Sequence, residues 1–426
     1  MLAALEFVDY VAINDSPSAE PAISAIQPSV YVKGNDYANA VDDVTGKIMA
    51  ECALVEENGG RVVFTDDITF SSSQLINRHI DIYDPELRAF LDRHRHQGSY
   101  AQLRSMVQDI QNLRVLIVGD VIIDEYQYVT AMGRSAKENM IATLFQSHEL
   151  FAGGVIAAAN HVAGFCQDVE VLTSLGEDYA DLVRSSLHPN VRLSALSRDQ
   201  RPTTRKCRFI DASYMRKLFE VYHMDDAPLH GAAEDKFIRQ LQEKAREADV
   251  VIVTDFGHGL ITSRTVEALT TSAKFLAVNA QTNSANIGFN LITKYPCADY
   301  ICIDEPEARL AVAKKHAEVG EIANVLLPQA VNCDRFIVTH GHHGCVTVKR
   351  GDPPIHIPAF TKTVVDTVGA GDAFLAITSP LAAIGAPMEL IGFIGNIAGA
   401  LKVGIVGHRH SVQKGALLKY LETLLK

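Results

Sequence analysis

Residues 364 to 374 read VVDTVGAGDAF, and this stretch decides how the rest of the chain is interpreted. Three small residues, Gly369, Ala370 and Gly371, separate Asp366 from Asp372, and a long apolar run follows. Such a turn at the start of a helix lets backbone N–H groups converge where the helix dipole favours an anion. Asp372 could then take the proton of a hydroxyl that attacks a phosphoryl group. The pattern predicts a phosphotransferase, although a close-packed turn with Asp372 as a helix cap would use the same residues.

Upstream of this turn, short β-branched segments ending in Gly or Asp alternate with segments of helical period. The β-branched segments are residues 61 to 67, 114 to 124, 169 to 178, 248 to 259, 273 to 281, 298 to 307 and 334 to 344. Buried strands that alternate with amphipathic helices predict an α/β fold with a mostly parallel sheet. In such sheets ligands bind at the carboxyl ends of the strands, where these Gly and Asp residues stand.

The amino-acid composition argues against some classes of binding partner. The 426 residues include 39 basic and 51 acidic side chains, and the formal charge of -12 argues against nucleic acid or an anionic membrane as the main partner. Seven cysteines occur singly with no CxxC pair, and no basic leader precedes the first acidic residue, so we expect a cytoplasmic protein. The apolar residues 391 to 407 are interrupted by Asn396 and Lys402, which predicts a buried helix rather than a membrane span.

Residues 84 to 111 interrupt the alternation of strands and helices. This stretch is charged, helix-prone and free of strand patterns, which is typical of a helical connector. We therefore expect a first module at residues 1 to 80, a connector at 81 to 111 and a second domain at 112 to 426.

The motif DTVGAGDAF resembles the D-T-x-G-A-G-D signature of the ribokinase-like, or pfkB-type, carbohydrate kinases. Further similar segments follow in family order from residue 112 to about 415, closest to the kinase domain of the bifunctional heptose-phosphate kinases and adenylyltransferases. The resemblance implies a three-layer sandwich with a small β lid, and ATP and Mg²⁺ as cofactors. It also implies that Asp372 is the catalytic base and that the amides of Gly369, Ala370 and Gly371 form an anion hole.

Three segments resemble the sugar side of the family's site. RVLIVGDVIIDEYQYV places Asp124 on sugar hydroxyls, FAGGVIAAANHVAGF places Gly153 and Gly154 in the substrate turn, and RPTTRKCRFI supplies Lys206. Each residue also has a structural interpretation: Asp124 could cap a strand end, and Lys206 could lie over a strand.

Other segments resemble the nucleotide side. ICIDEPEARLA places Glu307 near magnesium through water, IVTHGHHG places Thr339, Gly341 and Gly344 near ATP, and FIGNIAGALKVG places Asn396 beside adenine. Alternatively, Glu307 is a solvated helix residue, Thr339 starts a turn, and Asn396 satisfies buried backbone. The histidines of THGHHG would suit a metal, but the flanking glycines favour a loop.

Several positions depart from the family pattern. Ala157 and Asn279 replace an Asn and an acidic residue, and His258 replaces a lysine in VTDFGHG, where Asp255 is kept. Asp304 stands where Asn is usual. These departures leave the sugar open while the phosphoryl-transfer motif is retained.

The N-terminal residues resemble the second half of a nucleotidyltransferase domain. The matching segments are VDYV at 8 to 11, PSVYVKGNDY at 28 to 37, GGRV at 59 to 62 and SSSQLI at 71 to 76. The first half of that domain would carry an H-x-G-H motif, which this sequence lacks. The segment is therefore truncated, structural, or completed by another chain; Lys33 and Ser72 would face nucleotide in an intact domain. We expect no adenylyl transfer from this chain.

Together these features predict ATP-dependent phosphorylation of a sugar or sugar phosphate. Fusion to a nucleotidyltransferase-like segment favours a heptose phosphate in the synthesis of a nucleotide-activated heptose. A kinase for a different sugar and a non-catalytic nucleotide-binding scaffold are the alternatives. Lid strands around 125 to 145 and 203 to 223 should cover the sugar and form a homodimer interface, with no nucleic acid or membrane as partner.

Overall fold

The computed structural model describes residues 8–14, 16, 18–34, 48–65, 83–198 and 201–426. The chain divides into a smaller unit, Met1–Ile82 with Glu422–Leu424 and Lys426, and a larger unit, Tyr83–Leu421 with Leu425. The smaller unit contains α1 (Glu20–Ile26), β1 (Val30–Lys33), α2 (Ile48–Glu57) and β2 (Arg61–Phe64), and its two strands pair in parallel.

Within the smaller unit, Lys33 forms an ion pair with Glu51 at 2.7 Å. Lys33 is thus held by a carboxylate of α2, which is the arrangement that a structural interpretation requires. Ser72 lies outside the described residues.

A nine-stranded sheet forms the centre of the larger unit. In spatial order its strands are β15 (Ile355–Ile357), β14 (Cys345–Lys349), β13 (Arg335–Thr339), β12 (Tyr300–Asp304), β11 (Leu276–Ala280), β10 (Val250–Asp255), β3 (Arg114–Gly119), β6 (Asp168–Leu175) and β7 (Val191–Ser197). Strands from β7 to β13 run parallel to their neighbours, and only the β13–β14 and β14–β15 pairs are antiparallel. The mostly parallel sheet predicted from the sequence is confirmed.

Helices cover both faces of this sheet. They are α5 (Val155–Ala163), α6 (Ala180–Ser186), α7 (Gly231–Glu247), α8 (Ser263–Ser272), α9 (Glu305–Ala311), α10 (Val319–Glu321), α11 (Leu327–Ala330), α12 (Ala370–Ala383) and α13 (Met388–Lys402), with a π-helical turn, Ile322–Leu326, between α10 and α11. A further helix, α14 (Lys414–Leu425), follows α13. Strand β10 is buried at every residue, as a strand covered on both faces must be. Val251 and Val253 pack in one core cluster with Phe237 of α7. On β12, Tyr300 donates a hydrogen bond to Thr378 of α12 at 2.8 Å.

A second sheet of four strands forms the lid. Its order is β5 (Ile141–Gly154), β4 (Val121–Arg134), β8 (Thr204–Asp211) and β9 (Arg216–His223). These strands fall on the segments predicted for the lid, 125 to 145 and 203 to 223. Both β4 and β5 are long because each begins or ends in the buried centre and extends outward into an exposed half.

The charged segment after residue 83 forms two helices, α3 (Pro85–His96) and α4 (Ser99–Asp109). Asp84 caps α3 by accepting a hydrogen bond from the Leu87 amide at 2.9 Å. Both helices belong to the larger unit, and Phe90 of α3 stacks on Phe393 of α13 with ring centroids 5.6 Å apart. In the described part of the chain, no helix combines the length and the apolar character that crossing a bilayer requires.

Candidate active site

A cavity of about 720 Å³ lies where the parallel strands end and α12 begins. Its walls come from the ends of β11, β12 and β13, from lid strands β4 and β8, and from the turn before α12. Every residue predicted for the site lines this cavity except Gly153. Of the positions that depart from the family pattern, Asn279 and Asp304 also line it.

The Gly-Ala-Gly turn leads directly into α12. Gly369 has φ of +76°, and a Cβ built there would lie 2.5 Å from Cε1 of His408, so both conformation and space require glycine. The Ala370 amide donates to the Thr367 carbonyl at 3.2 Å. Within the described residues, the amides of Gly369 and Gly371 have no acceptor. These two N–H groups are therefore the ones free to receive an anion at the positive end of the helix.

Asp372 lies in the first turn of α12 and is 7% exposed. Its Oδ1 accepts a hydrogen bond from Nε2 of Gln281 at 3.0 Å, which fixes the carboxyl group. Burial raises the pKa of Asp372 to about 6; Asp124 adds to this shift, and His408 opposes it. A carboxyl group with this pKa is ionised at neutral pH yet basic enough to accept a proton.

Asp124, on β4, is also buried but is held ionised. It forms an ion pair with Arg208 of β8, and its Oδ2 lies 3.2 Å from Nε2 of His408. Burial alone would raise the pKa of Asp124, but Arg208 and His408 outweigh burial and lower it. A Cβ built at Gly153 would lie 2.2 Å from Oδ2 of Asp124, so Gly153 leaves room for this carboxylate.

Lys206 and Gly154 complete the side of the cavity that the sequence predicts to bind the sugar. The Lys206 side chain is 6% exposed and its Nζ lies 5.3 Å from the ring centroid of Tyr222. Burial lowers the pKa of Lys206, and the field of Asp124 opposes this shift. Gly154 has φ of +58°, and a Cβ there would lie 2.5 Å from the carbonyl oxygen of Asp120.

On the side of the cavity that the sequence predicts to bind nucleotide, a loop with a glycine at each end follows β13. Thr339 donates to Oδ1 of Asp304 at 3.1 Å. Gly341 and Gly344 have φ of +53° and +91°, and a Cβ at Gly344 would lie 2.0 Å from the Ile357 carbonyl. The histidines between the glycines lie in a 3-10 turn, Gly341–His343. A larger residue would therefore collide with backbone at Gly344, whereas at Gly341 only the positive φ favours glycine.

Asn396 is buried on α13 and bonds the backbone of a neighbouring loop. Its Nδ2 donates to the carbonyl oxygens of Ile357 and Pro358 at 3.2 and 3.0 Å. The alternative interpretation, satisfaction of buried backbone, thus describes its contacts, while its position in the cavity wall also suits an adenine border.

Glu307 lies in the first turn of α9. Its two carboxylate oxygens accept hydrogen bonds from the amides of Thr282 and Asp304 at 3.0 and 3.1 Å. Burial raises the pKa of Glu307 to about 7. Because both oxygens are engaged, the group fits Mg²⁺ through water rather than directly. Among the described residues no group of three or more His, Cys, Asp or Glu side chains is placed to hold a metal ion.

Two of the departures from the family pattern, His258 and Ala157, do not line the cavity, and neither does the retained Asp255. Asp255 accepts hydrogen bonds from Tyr295 at 2.7 Å and from Asn290 at 3.2 Å, so it organises the loop below the cavity. His258 is 1% exposed, and burial lowers the pKa of its imidazole to about 3. In the described part of the chain neither ring nitrogen has a hydrogen-bond partner. Ala157 is buried within α5.

Asp366, the first aspartate of the motif, holds the turn in place. It accepts hydrogen bonds from Tyr126 of β4 at 2.6 Å and from the Gly407 amide at 2.8 Å, and it pairs with Lys217 of β9 at 2.8 Å. Burial would raise the pKa of Asp366, but Lys217 and Tyr126 lower it to about 2. This residue connects the turn to the lid.

The sequence did not single out four side chains of the site: Gln281, Arg208, His408 and Lys402. Arg208 stands two residues after Lys206, so it projects from the same face of β8, and that spacing was a usable signal. Gln281 directly follows β11 at the ligand-binding edge of the sheet. His408 and Lys402 carry no local pattern, because only the fold brings them under the turn.

Comparison with known proteins identifies this arrangement. Residues 112–414 match the model of the pfkB family carbohydrate kinases. This chain belongs to the pfkB family of carbohydrate kinases. Members of this family are sugar kinases, so the catalytic class of the chain is that of a phosphotransferase.

Curated relatives of this pfkB kinase include bifunctional HldE proteins. The HldE protein of Nitrobacter hamburgensis is 29% identical over 303 residues, which cover 69% of this chain and 60% of the relative. An HldE protein of Rhodopseudomonas palustris is 27% identical over 289 residues, covering 66% and 58% of the two chains. The chain therefore spans about three fifths of the length of these relatives.

Solved structures share the fold of the larger unit. Arabidopsis thaliana ribokinase, solved with ribose and ATP, has a TM-score of 0.55 at 17% identity, over 73% of this chain and 99% of that one. Escherichia coli phosphofructokinase-2 has a TM-score of 0.58 at 15% identity, over 73% and 99% of the two chains. The three-layer ribokinase-like fold predicted from the sequence is confirmed.

Proposed function

We propose that this pfkB kinase transfers the γ-phosphoryl group of ATP to a hydroxyl of a sugar phosphate, with a heptose phosphate as the acceptor. The observation that carries the proposal is the buried Asp372, whose raised pKa suits a base, beside two free amides at a helix N-terminus. Asp124, held ionised by Arg208 and His408, supplies the acceptor for sugar hydroxyls.

In the proposed reaction Asp372 takes the proton of the acceptor hydroxyl. The hydroxyl oxygen then bonds to the γ-phosphorus while the bond from that phosphorus to the β,γ-bridging oxygen breaks, and ADP leaves. The amides of Gly369 and Gly371 stabilise the charge that develops on the transferred group. Gln281 keeps the Asp372 carboxyl aimed by its hydrogen bond.

Mg²⁺, when bound with ATP, would neutralise charge on the β- and γ-phosphates. Glu307 would hold its hydration shell, since both carboxylate oxygens already accept backbone amides, which favours contact with the metal through water. Thr339, Gly341, Gly344 and Asn396 would border the nucleotide.

Three features support a phosphorylated seven-carbon sugar over a simple sugar. The cations Lys206 and Arg208 line the sugar side of the cavity, the curated relatives are bifunctional HldE proteins, and the N-terminal segment resembles a nucleotidyltransferase. A different sugar remains the alternative, because Asn279, which replaces the family's acidic residue, lines the cavity.

The acceptor is tested by measuring ATP consumption across a panel of sugars and sugar phosphates with the full chain. We expect a heptose phosphate to give turnover at least tenfold above ribose, fructose and nucleosides, and Asp372→Asn to show none. Turnover with another sugar would replace the acceptor but retain the kinase. ATP binding without turnover on any member would favour the scaffold.

We also infer a homodimer formed through the lid and a cytoplasmic location. The lid strands expose the apolar side chains Ile141, Leu144, Phe145 and Phe219, each more than half exposed. All seven cysteines are free thiols, which suits a reducing compartment.

A further inference from the structure

Lys402 is a buried cation with unusual partners. It is the last residue of α13 and is 0% exposed. Its Nζ donates to the carbonyl oxygens of Val368 and Gly407, each at 2.7 Å. Within the described residues no carboxylate oxygen lies within 4.0 Å of this Nζ, although buried lysines ordinarily have one.

The two carbonyl groups place Lys402 directly under the phosphate-binding turn. A Cβ built at Gly369 would lie 3.3 Å from Cε of Lys402. The Val368 carbonyl and the Gly369 amide belong to one trans peptide unit, so they point in opposite directions. When Lys402 holds the carbonyl from below, the Gly369 N–H is turned away from it, toward the open side of the turn.

The electrostatic surroundings of Lys402 also suggest that it acts on an anion at the turn. Burial lowers the pKa of Lys402, while Asp366, Asp372 and Asp124 oppose that shift without contacting the ammonium. An ammonium kept from water without a paired carboxylate destabilises the free protein. A phosphate bound at the turn would supply the missing negative charge.

We propose that Lys402 is a built-in cation that positions the Gly369 amide and adds positive charge beneath the transferred phosphoryl group. This inference rests on the proposed function, because it needs a phosphoryl group at the turn. Lys402 is a positioning residue: it acts through the Val368–Gly369 peptide, and a glycine turn separates it from the cavity.

The chemistry of the two carbonyl oxygens supplies a sharp test. Removing the side chain in Lys402→Ala leaves both oxygens facing a space where the ammonium was. Carbonyl oxygens are the ligands that K⁺ takes in proteins, and NH₄⁺ has similar size and charge. We expect Lys402→Ala, assayed in choline chloride, to lose on the order of 10- to 100-fold in kcat, somewhat less than loss of a direct oxyanion donor. KM for the sugar should change far less, and KCl or NH₄Cl should restore activity at least severalfold.

The matched control is Ile397→Ala, which removes a fully buried apolar side chain from the same helix, away from the cavity wall. It should lower the melting temperature without any response to K⁺, and the wild-type chain should be indifferent to replacement of KCl by choline chloride. A wild-type enzyme that itself requires K⁺, or a Lys402→Ala defect that no cation relieves, would overturn the inference.

A second variant separates this inference from the proposed function. Lys402→Met keeps most of the buried volume, so it preserves folding if the alanine variant does not fold. Should the wild-type chain phosphorylate no acceptor, the proposed function fails, and ATP affinity measured by calorimetry then decides about Lys402. A loss of roughly tenfold or more in ATP affinity for Lys402→Met supports the buried cation, and equal affinity overturns it.

Discussion

Two carboxyl groups in one cavity acquire opposite properties from their surroundings. Asp372 has burial as its dominant influence, which raises its pKa to about 6. Asp124 is equally buried but contacts Arg208 and His408, which lower its pKa. Groups whose environments separate their pKa values in this way divide the work of a site: one binds as an anion, and the other exchanges a proton.

This difference predicts the pH dependence of turnover. Asp372 must be deprotonated to act as a base, so kcat/KM should fall about tenfold per pH unit below a midpoint near pH 6 and level off above it. The measurement is a pH profile with the best acceptor. Glu307, with a pKa raised to about 7, is the competing source, so Glu307→Gln is the control. The fall in kcat/KM below a midpoint near pH 6 should persist in Glu307→Gln. If this fall disappears in the variant, the titrating group is Glu307 rather than Asp372.

The two glycines of the turn should respond differently to an added methyl group. Gly369→Ala places a Cβ 2.5 Å from His408 at a φ of +76°, and we expect a loss of roughly 2 to 4 kcal/mol of stability together with activity. Gly371→Ala meets nothing within 4 Å, so its stability should change by less than about 1 kcal/mol. Melting curves and turnover of both variants test this, and equal destabilisation of the two would contradict it.

At the residue scale, short motifs were enough to predict which residues line the cavity. Asp372 and its turn stand together in the chain, and Asp124 follows a recognisable strand. Gln281 and His408 reach the same carboxyl groups from distant segments, so no local pattern marks them. The sequence assigned no role to Asp366, because its three partners from β4, β9 and the 407 loop come together only in the folded chain.

At the scale of elements, the loop before α12 is fastened to the lid. Asp366 accepts hydrogen bonds from Tyr126 of β4 and from the Gly407 amide, and it forms an ion pair with Lys217 of β9. The same carboxylate therefore links the glycine turn before α12 to two strands of the lid. Displacement of the lid would therefore shift the turn through the Asp366 side chain.

Removing this connection should destabilise the larger unit. Asp366→Ala leaves Tyr126 and the Gly407 amide without an acceptor, and we expect a loss of roughly 2 to 4 kcal/mol in urea unfolding followed by circular dichroism. Tyr126→Phe, which removes one hydrogen bond, should cost about 1 kcal/mol. Because the pKa of Asp366 is lowered from 3.8 to about 2, its contribution is present above pH 3.8 and is lost as the pH falls through 2. Equal stability of wild type and Asp366→Ala at pH 7 would contradict this role.

The elements themselves were largely predictable, for a physical reason. Strands such as β10 and β3 are buried on both faces, so their β-branched runs are continuous and easily recognised. The outer halves of β4 and β5 are exposed and lack that pattern, which is why the lid followed from family resemblance rather than periodicity. The charged residues after position 83 correctly predicted helices, but only packing of Phe90 on Phe393 assigns them to the larger unit.

At the scale of the whole molecule, the exposed apolar side chains of the lid are the basis of the proposed homodimer. We predict a dimer by light scattering for the 46.5 kDa chain and a monomer for Phe145→Glu, because a buried carboxylate would oppose association. Val325→Glu changes an exposed apolar side chain away from the lid and should remain dimeric. A wild-type chain that stays monomeric at all concentrations would remove the dimer from the account.

The central claim is that Asp372 is the base of an ATP-dependent sugar kinase. The most direct test is transfer of labelled γ-phosphate from ATP to the best acceptor by the wild-type chain and by Asp372→Asn, with ATP affinity of both measured by calorimetry. We predict that the variant binds ATP as the wild type does and loses about 10³-fold or more in transfer. Transfer by Asp372→Asn within tenfold of the wild-type rate would contradict the claim.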